Sequence, residues 1–119
     1  MMDSDLIPEV DVFELARKLN AGERFILLDV REGWELDCAL INDSRLRVAP
    51  LSRLESLGPQ ALPEDVCDKE TEILVMCHHG VRSANVTRWL RKQGWTNVAS
   101  VRGGIAEYGR LVDGSVGRY

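Results

Sequence analysis

Two short, almost uninterrupted apolar runs, FILLDV at residues 25–30 and ILVM at residues 73–76, constrain the fold more than any other feature. A strand with one face in water alternates apolar and polar residues. A run without that alternation is covered on both faces, as in parallel sheets flanked by helices. Parallel neighbours need a long crossover between them, usually a helix. The remaining sequence supplies such crossovers. Asp11 and Glu14 have the spacing of a capping box, and Val12, Leu15, Ala16 and Leu19 then recur at helical intervals, which predicts a helix over 12–20 stopped by Asn20 and Gly22. Residues 51–57 read as a short helix ended by Gly58 and Pro59, and 63–71 as a polar loop. Val86, Trp89 and Leu90 share one face of a helix over 83–93, with Gly94 as its stop. Residues 97–101 form another strand, Gly103-Gly104 a tight turn, and 105–112 a last helix before the Asp113-Gly114 break. The middle is weaker, with a helical turn within 34–40 and a short strand at 46–48. The expected fold is α/β, a small, mostly parallel central sheet with helices on both faces. With 119 residues, the chain 1–119 is read as a single domain.

Charge and composition then narrow the function. A net charge of -4 argues against general nucleic-acid binding, which relies on clustered Lys and Arg. No apolar run approaches the roughly 20 residues of a membrane helix, and the first five residues are acidic where a secretory signal is basic, so a cytoplasmic location is expected. Cys38, Cys67 and Cys77 form no CxxC pair and are read as free thiols. Arg82, Arg88, Arg91, Lys92 and Arg102 all follow Cys77. That bias suits either a small anionic substrate near Cys77 or a solvated basic helix face.

Cys77 closes the clearest buried strand and is followed by His78, His79, Gly80, Val81, Arg82 and Ser83. Ligands of open α/β sheets bind beyond the carboxyl ends of the strands, where helices present their N-termini. A thiol there meets unpaired backbone N–H groups and a helix dipole, and Arg82 adds a fixed positive charge, so the thiolate is favoured. Cys77 to Arg82 spans six residues counting both ends. A tyrosine-phosphatase-type loop, Cys-x5-Arg, is one residue longer and cradles a tetrahedral phosphate. The shorter loop suits a smaller group, such as a sulfur atom carried on the cysteine.

Four stretches in order, LDVRE at 28–32 with Trp34-Glu35, MCHHGVRS at 76–83, GWTNV at 94–98 and RGGI at 102–105, resemble the single-domain rhodanese family over nearly the whole chain. The closing residues 112–119 resemble rhodanese-domain tails, including some fused to adenylylating enzymes that activate sulfur-carrier proteins. The resemblance implies a thiosulfate:cyanide-type sulfurtransferase. In it Cys77 would take sulfane sulfur from thiosulfate or a related donor, become a persulfide, and pass the sulfur to cyanide, a thiol or a carrier protein. It implies no metal or organic cofactor, while charge and the lack of a long apolar run argue against a nucleic-acid or membrane partner. Asp29 and Arg31 match the family's Asp-x-Arg turn that holds the active loop, and His78, His79, Gly80, Val81 and Ser83 form the substrate-binding loop with Arg82 charging the pocket. Two departures stand out: residues 39–44 (ALINDS) replace the family's Gly-His-Ile-Pro-Gly-Ala, which puts the mouth of the pocket and the acceptor in question, and Tyr108 stands where tryptophan is common. The other classes consistent with the residues are a cysteine phosphatase or arsenate reductase, and a non-catalytic rhodanese-like binding module.

Simpler roles suffice elsewhere. Adjacent His78 and His79 do not converge on one metal ion. One is expected at the pocket rim and the other in solvent. Trp34, Trp89 and Trp95 are expected as packing residues. Cys38 and Cys67 read as buried structural thiols, with Cys38 a second reactive thiol only if it folds toward the pocket. Ser83 reads as the N-cap of its helix, with a bond to the sulfur as the weaker option. Arg82 is expected in a loop that faces solvent.

Overall fold

The computed structural model describes residues 6–119; the acidic start at 1–5 lies outside the described residues. Five strands, β1 (Glu9–Val10), β2 (Ile26–Asp29), β3 (Leu46–Val48), β4 (Ile73–Met76) and β5 (Val98–Val101), form one sheet in the order β1-β5-β4-β2-β3. Every pairing is parallel. The helices are α1 (Val12–Asn20), α2 (Gly33–Leu36), α3 (Leu51–Leu57), α4 (Val81–Lys92) and α5 (Gly104–Leu111). Half of the capping box at Asp11 forms: its carboxylate accepts from the Glu14 N–H at 2.8 Å, while the Glu14 carboxylate accepts from Arg17 instead of turning back to Asp11.

The apolar runs behave as strands covered on both faces. Leu28, Ile73 and Val75 pack with Leu54 of α3 and Val86 and Leu90 of α4. Their sequence neighbours Leu27, Leu74 and Met76 pack on the other side with Val12 and Leu15 of α1 and Ile105 and Tyr108 of α5. Successive residues of a strand point to opposite faces, so two separate cores sandwich the sheet. Each fully buried Leu or Ile contributes about 1.5–3 kcal/mol of transfer free energy.

Several expectations change. Trp95 is buried and donates its indole N–H to the Val66 carbonyl at 2.8 Å, which pins the 63–71 segment to the core. That segment is polar in composition, yet Val66 is fully buried. Trp34 lies outside the core, 64% exposed, and meets only the Tyr119 ring among the aromatic contacts of the described residues. Cys38 and Cys67 are both exposed, not buried. The two-residue β1 was not read, being too short to show periodicity.

Candidate active site

Cys77 follows the last residue of β4 at the carboxyl edge of the sheet, as the strand-then-turn pattern predicts. Gly80 takes φ +104, a left-handed value that a side chain resists, and helix α4 begins directly at Val81. This tight reversal folds the chain around the sulfur. Cys77 Sγ accepts from the Gly80 N–H at 3.1 Å and the Ser83 N–H at 3.3 Å. The donors are the N-cap Gly80 and Ser83 in the first turn, among the N–H groups that a helix start leaves without intrahelical partners and where the helix dipole also favours negative charge. Cys77 is 1% exposed.

Ser83 is not the N-cap; it lies inside the first turn. Its hydroxyl is 3.4 Å from Cys77 Sγ and 2.8 Å from the Ser100 hydroxyl of β5. The weaker of the two sequence readings for Ser83 is therefore the one the structure adopts, and Ser100 joins the site from the neighbouring strand.

The loop is clamped from the side by α5. The Ile105 and Ala106 N–H groups donate to the carbonyls of Cys77 (2.9 Å) and His78 (3.0 Å). That approach requires Gly104, which has φ +61 and whose added Cβ would collide with those same two carbonyls. The expected turn is shifted by one residue, to Arg102-Gly103, and Gly104 is the first residue of α5, where it seats the backbone of the Cys77 loop.

Arg82 is half-buried and paired, not free in solvent. Its guanidinium makes a two-pronged ion pair with Glu35 of α2, at 2.7 and 2.8 Å, and the Glu35 side chain is only 4% exposed. This pairing, opposed by burial and aided by the Glu32 N–H and the Tyr119 hydroxyl, brings the Glu35 carboxyl down to about 2. Arg82 is in turn held charged by Glu35 first, with Cys77 a smaller influence.

Asp29 and Arg31, both fully buried, form a second ion pair at 2.8 Å. Every N–H of the Arg31 guanidinium has an acceptor among Asp29, the Ala39 and Glu35 carbonyls and the Tyr119 hydroxyl at 3.1 Å. The Tyr119 hydroxyl donates to Glu35 at 2.8 Å, which joins the two ion pairs. Its ring stacks on His78, with centroids 3.8 Å apart and planes 7° off parallel. Burial, and then the neighbouring His79, push His78 below the ordinary imidazole value. His78 is half-buried at the loop and His79 is exposed, in keeping with one histidine at the rim and one in solvent.

Residues 39–44 explain how the tail reaches this place. Ala39 bridges Gly117 in antiparallel fashion, and the Leu40 N–H donates to the Val116 carbonyl at 2.9 Å. Tyr119 is then two residues beyond the bridge. Arg91 and Lys92 occupy the last turn of α4, about 16 Å along its axis from Val81, so they form a solvated face and not part of the site. Arg102 reaches toward Glu9 at 3.8 Å. Among the described residues no group of three or more His, Cys, Asp and Glu is placed to hold a metal ion, and no helix is long and apolar enough to cross a membrane.

A parallel α/β sheet with a cysteine cradled by backbone N–H groups at a strand's carboxyl end defines the class of molecule. The model of the rhodanese-like domain matches residues 11–111, and the chain belongs to that family. It is 32% identical over 101 residues to the putative sulfurtransferase YtwF of Bacillus subtilis, covering 83% of this chain and 87% of that protein. It is 30% identical over 122 residues to the chloroplastic rhodanese-like/PpiC domain-containing protein 12 of Arabidopsis thaliana. That match covers all of this chain but 40% of the relative, so the chain spans less than half the length of that protein. Among solved structures, reduced CoADR-RHD of Bacillus anthracis superposes with a TM-score of 0.73 at 26% identity, over 95% of this chain and 18% of that one.

Proposed function

We propose that this chain is a sulfurtransferase that carries sulfane sulfur as a persulfide on Cys77. The observation that carries the reading is the sulfur itself, which accepts hydrogen bonds from the backbone N–H groups of Gly80 and Ser83 at the start of α4. Donors preorganised around an anionic sulfur serve the thiolate before transfer and the thiolate that leaves after it.

With thiosulfate as donor, the Cys77 thiolate attacks the terminal sulfur, a Cys77 S–S bond forms, and the bond to the sulfonate sulfur breaks with its electron pair leaving on sulfite. An acceptor nucleophile, whether a thiolate, cyanide or the thiol group of a carrier protein, then attacks the outer sulfur. The S–S bond breaks and the pair returns to Cys77 as thiolate. No net oxidation is needed, so the chain requires no electron carrier. Ser83, bonded to both the sulfur and Ser100, fixes the cysteine rotamer, while Asp29 and Arg31 hold the turn beside the loop.

The test is transfer from thiosulfate to cyanide or a small thiol by the wild-type chain and by Cys77→Ser. Abolished transfer in a folded Cys77→Ser protein is the expected result. Retained transfer, or loss of it in Cys38→Ser or Cys67→Ser instead, overturns the proposal.

A further inference from the structure

We propose that Tyr119 is a positioning residue for the transfer step, an inference that rests on the sulfurtransferase reading. Its hydroxyl accepts from Arg31 and donates to Glu35, so one oxygen connects the Asp29–Arg31 pair under β2 to the Glu35–Arg82 pair at α4. Its ring lies flat on His78, the residue next to the nucleophile. Trp34 leans edge-on against the same ring, with centroids 6.0 Å apart.

The loop is thus held from two sides. The N–H groups of Ile105 and Ala106 grip its carbonyls from α5, and Tyr119 braces it across His78 and Arg82. Arg82 and Ser83 are consecutive, so the Glu35 carboxylate that anchors Arg82 also fixes where the Ser83 N–H meets the sulfur. Without the phenol oxygen, Glu35 loses a donor and the buried Arg31 loses an acceptor. The Asp29–Arg31 and Glu35–Arg82 pairs then loosen together, while the α5 hold remains. Sub-ångström displacement of groups around a reacting atom is enough to slow a reaction well beyond its effect on binding.

The test compares wild type, Tyr119→Phe and Tyr119→Leu at a temperature well below unfolding. Persulfide transfer from thiosulfate is followed kinetically, and iodoacetamide alkylation of Cys77 is followed by peptide mass spectrometry with exposed Cys67 as internal reference. Tyr119→Phe, which keeps the ring, is expected to lower kcat about tenfold, and Tyr119→Leu to lower it further, with KM for thiosulfate changed less than about twofold. The ratio of Cys77 to Cys67 alkylation should fall in the same order. Unchanged kcat in both variants, a change confined to KM, or equal slowing of Cys67 overturns the proposal. Should Tyr119→Leu fail to fold, Tyr119→Phe decides alone. Wild-type protein that takes up no sulfur defeats the sulfurtransferase reading instead, and the alkylation ratio still decides whether Tyr119 positions the loop.

Discussion

Replacing Arg82 with Met removes the charge opposite Glu35 and leaves that carboxylate in a site where its side chain is 4% exposed. The ordinary carboxyl value is 4.5 and the folded value is about 2. At roughly 1.4 kcal/mol for each tenfold change in proton affinity, the environment of Glu35 is worth about 3 kcal/mol. Arg82 is the largest cause, with the Glu32 N–H and Tyr119 hydroxyl also contributing, so about 2 kcal/mol falls to Arg82. The Arg82 side chain is 31% exposed, and water screening keeps this below the 3–5 kcal/mol or so of wholly buried pairs. The folded-state value is depressed, so the stabilisation is fully present above pH 4.5 and is lost as pH falls toward 2. Chemical denaturation should therefore show Arg82→Met less stable by about 2 kcal/mol at pH 7, with the gap narrowing to about 1 kcal/mol at pH 3. An unchanged midpoint at pH 7, or a gap of the same size at both pH values, would refute the assignment of Glu35 to Arg82.

Two further substitutions probe the scaffold of the loop. Gly104→Ala puts a Cβ into the Cys77 and His78 carbonyls at a residue with φ +61, and sulfur uptake should fall by at least about tenfold in a protein that still unfolds cooperatively; normal uptake would mean that α5 does not seat the loop. Asp29→Asn leaves the Arg31 charge uncompensated at zero exposure and should lower unfolding free energy by about 3–5 kcal/mol in urea titration, whereas a loss under about 1 kcal/mol would contradict the buried-pair account.

The sheet was legible because its strands are covered on both faces, and runs such as ILVM carry that condition in four consecutive residues. The cradle around Cys77 was legible for a local reason as well, since the sulfur and its N–H donors lie within six residues of one another. The bracing of the site was not. Arg82 reads as a solvent-facing loop residue until α2 brings Glu35 to it across 47 positions, and Tyr119 meets Arg31 across 88. No periodicity or spacing encodes such contacts; they depend on the packed fold, which sets α2 beside α4 and, through the Ala39–Gly117 bridge, brings Tyr119 to Arg31. Ser83 failed for another reason. A serine before an apolar helical face satisfies the N-cap pattern, but Gly80 turns the chain earlier and starts the helix at Val81, which frees the hydroxyl for the sulfur. Glu35 had two signals, its place four residues after Arg31 in a charged turn and its part in the Trp34-Glu35 stretch of the family resemblance, but neither pointed to Arg82; Ser100 had none beyond being polar in an apolar strand.

The central claim is that Cys77 holds the transferred sulfur. Intact-mass and peptide mass spectrometry of the wild-type chain after brief treatment with thiosulfate tests it most directly. The account requires one added sulfur atom on the peptide that carries Cys77, removed stoichiometrically when cyanide or a small thiol is added, with Cys38 and Cys67 unmodified. Unmodified Cys77, or sulfur found only on Cys38 or Cys67, would contradict it.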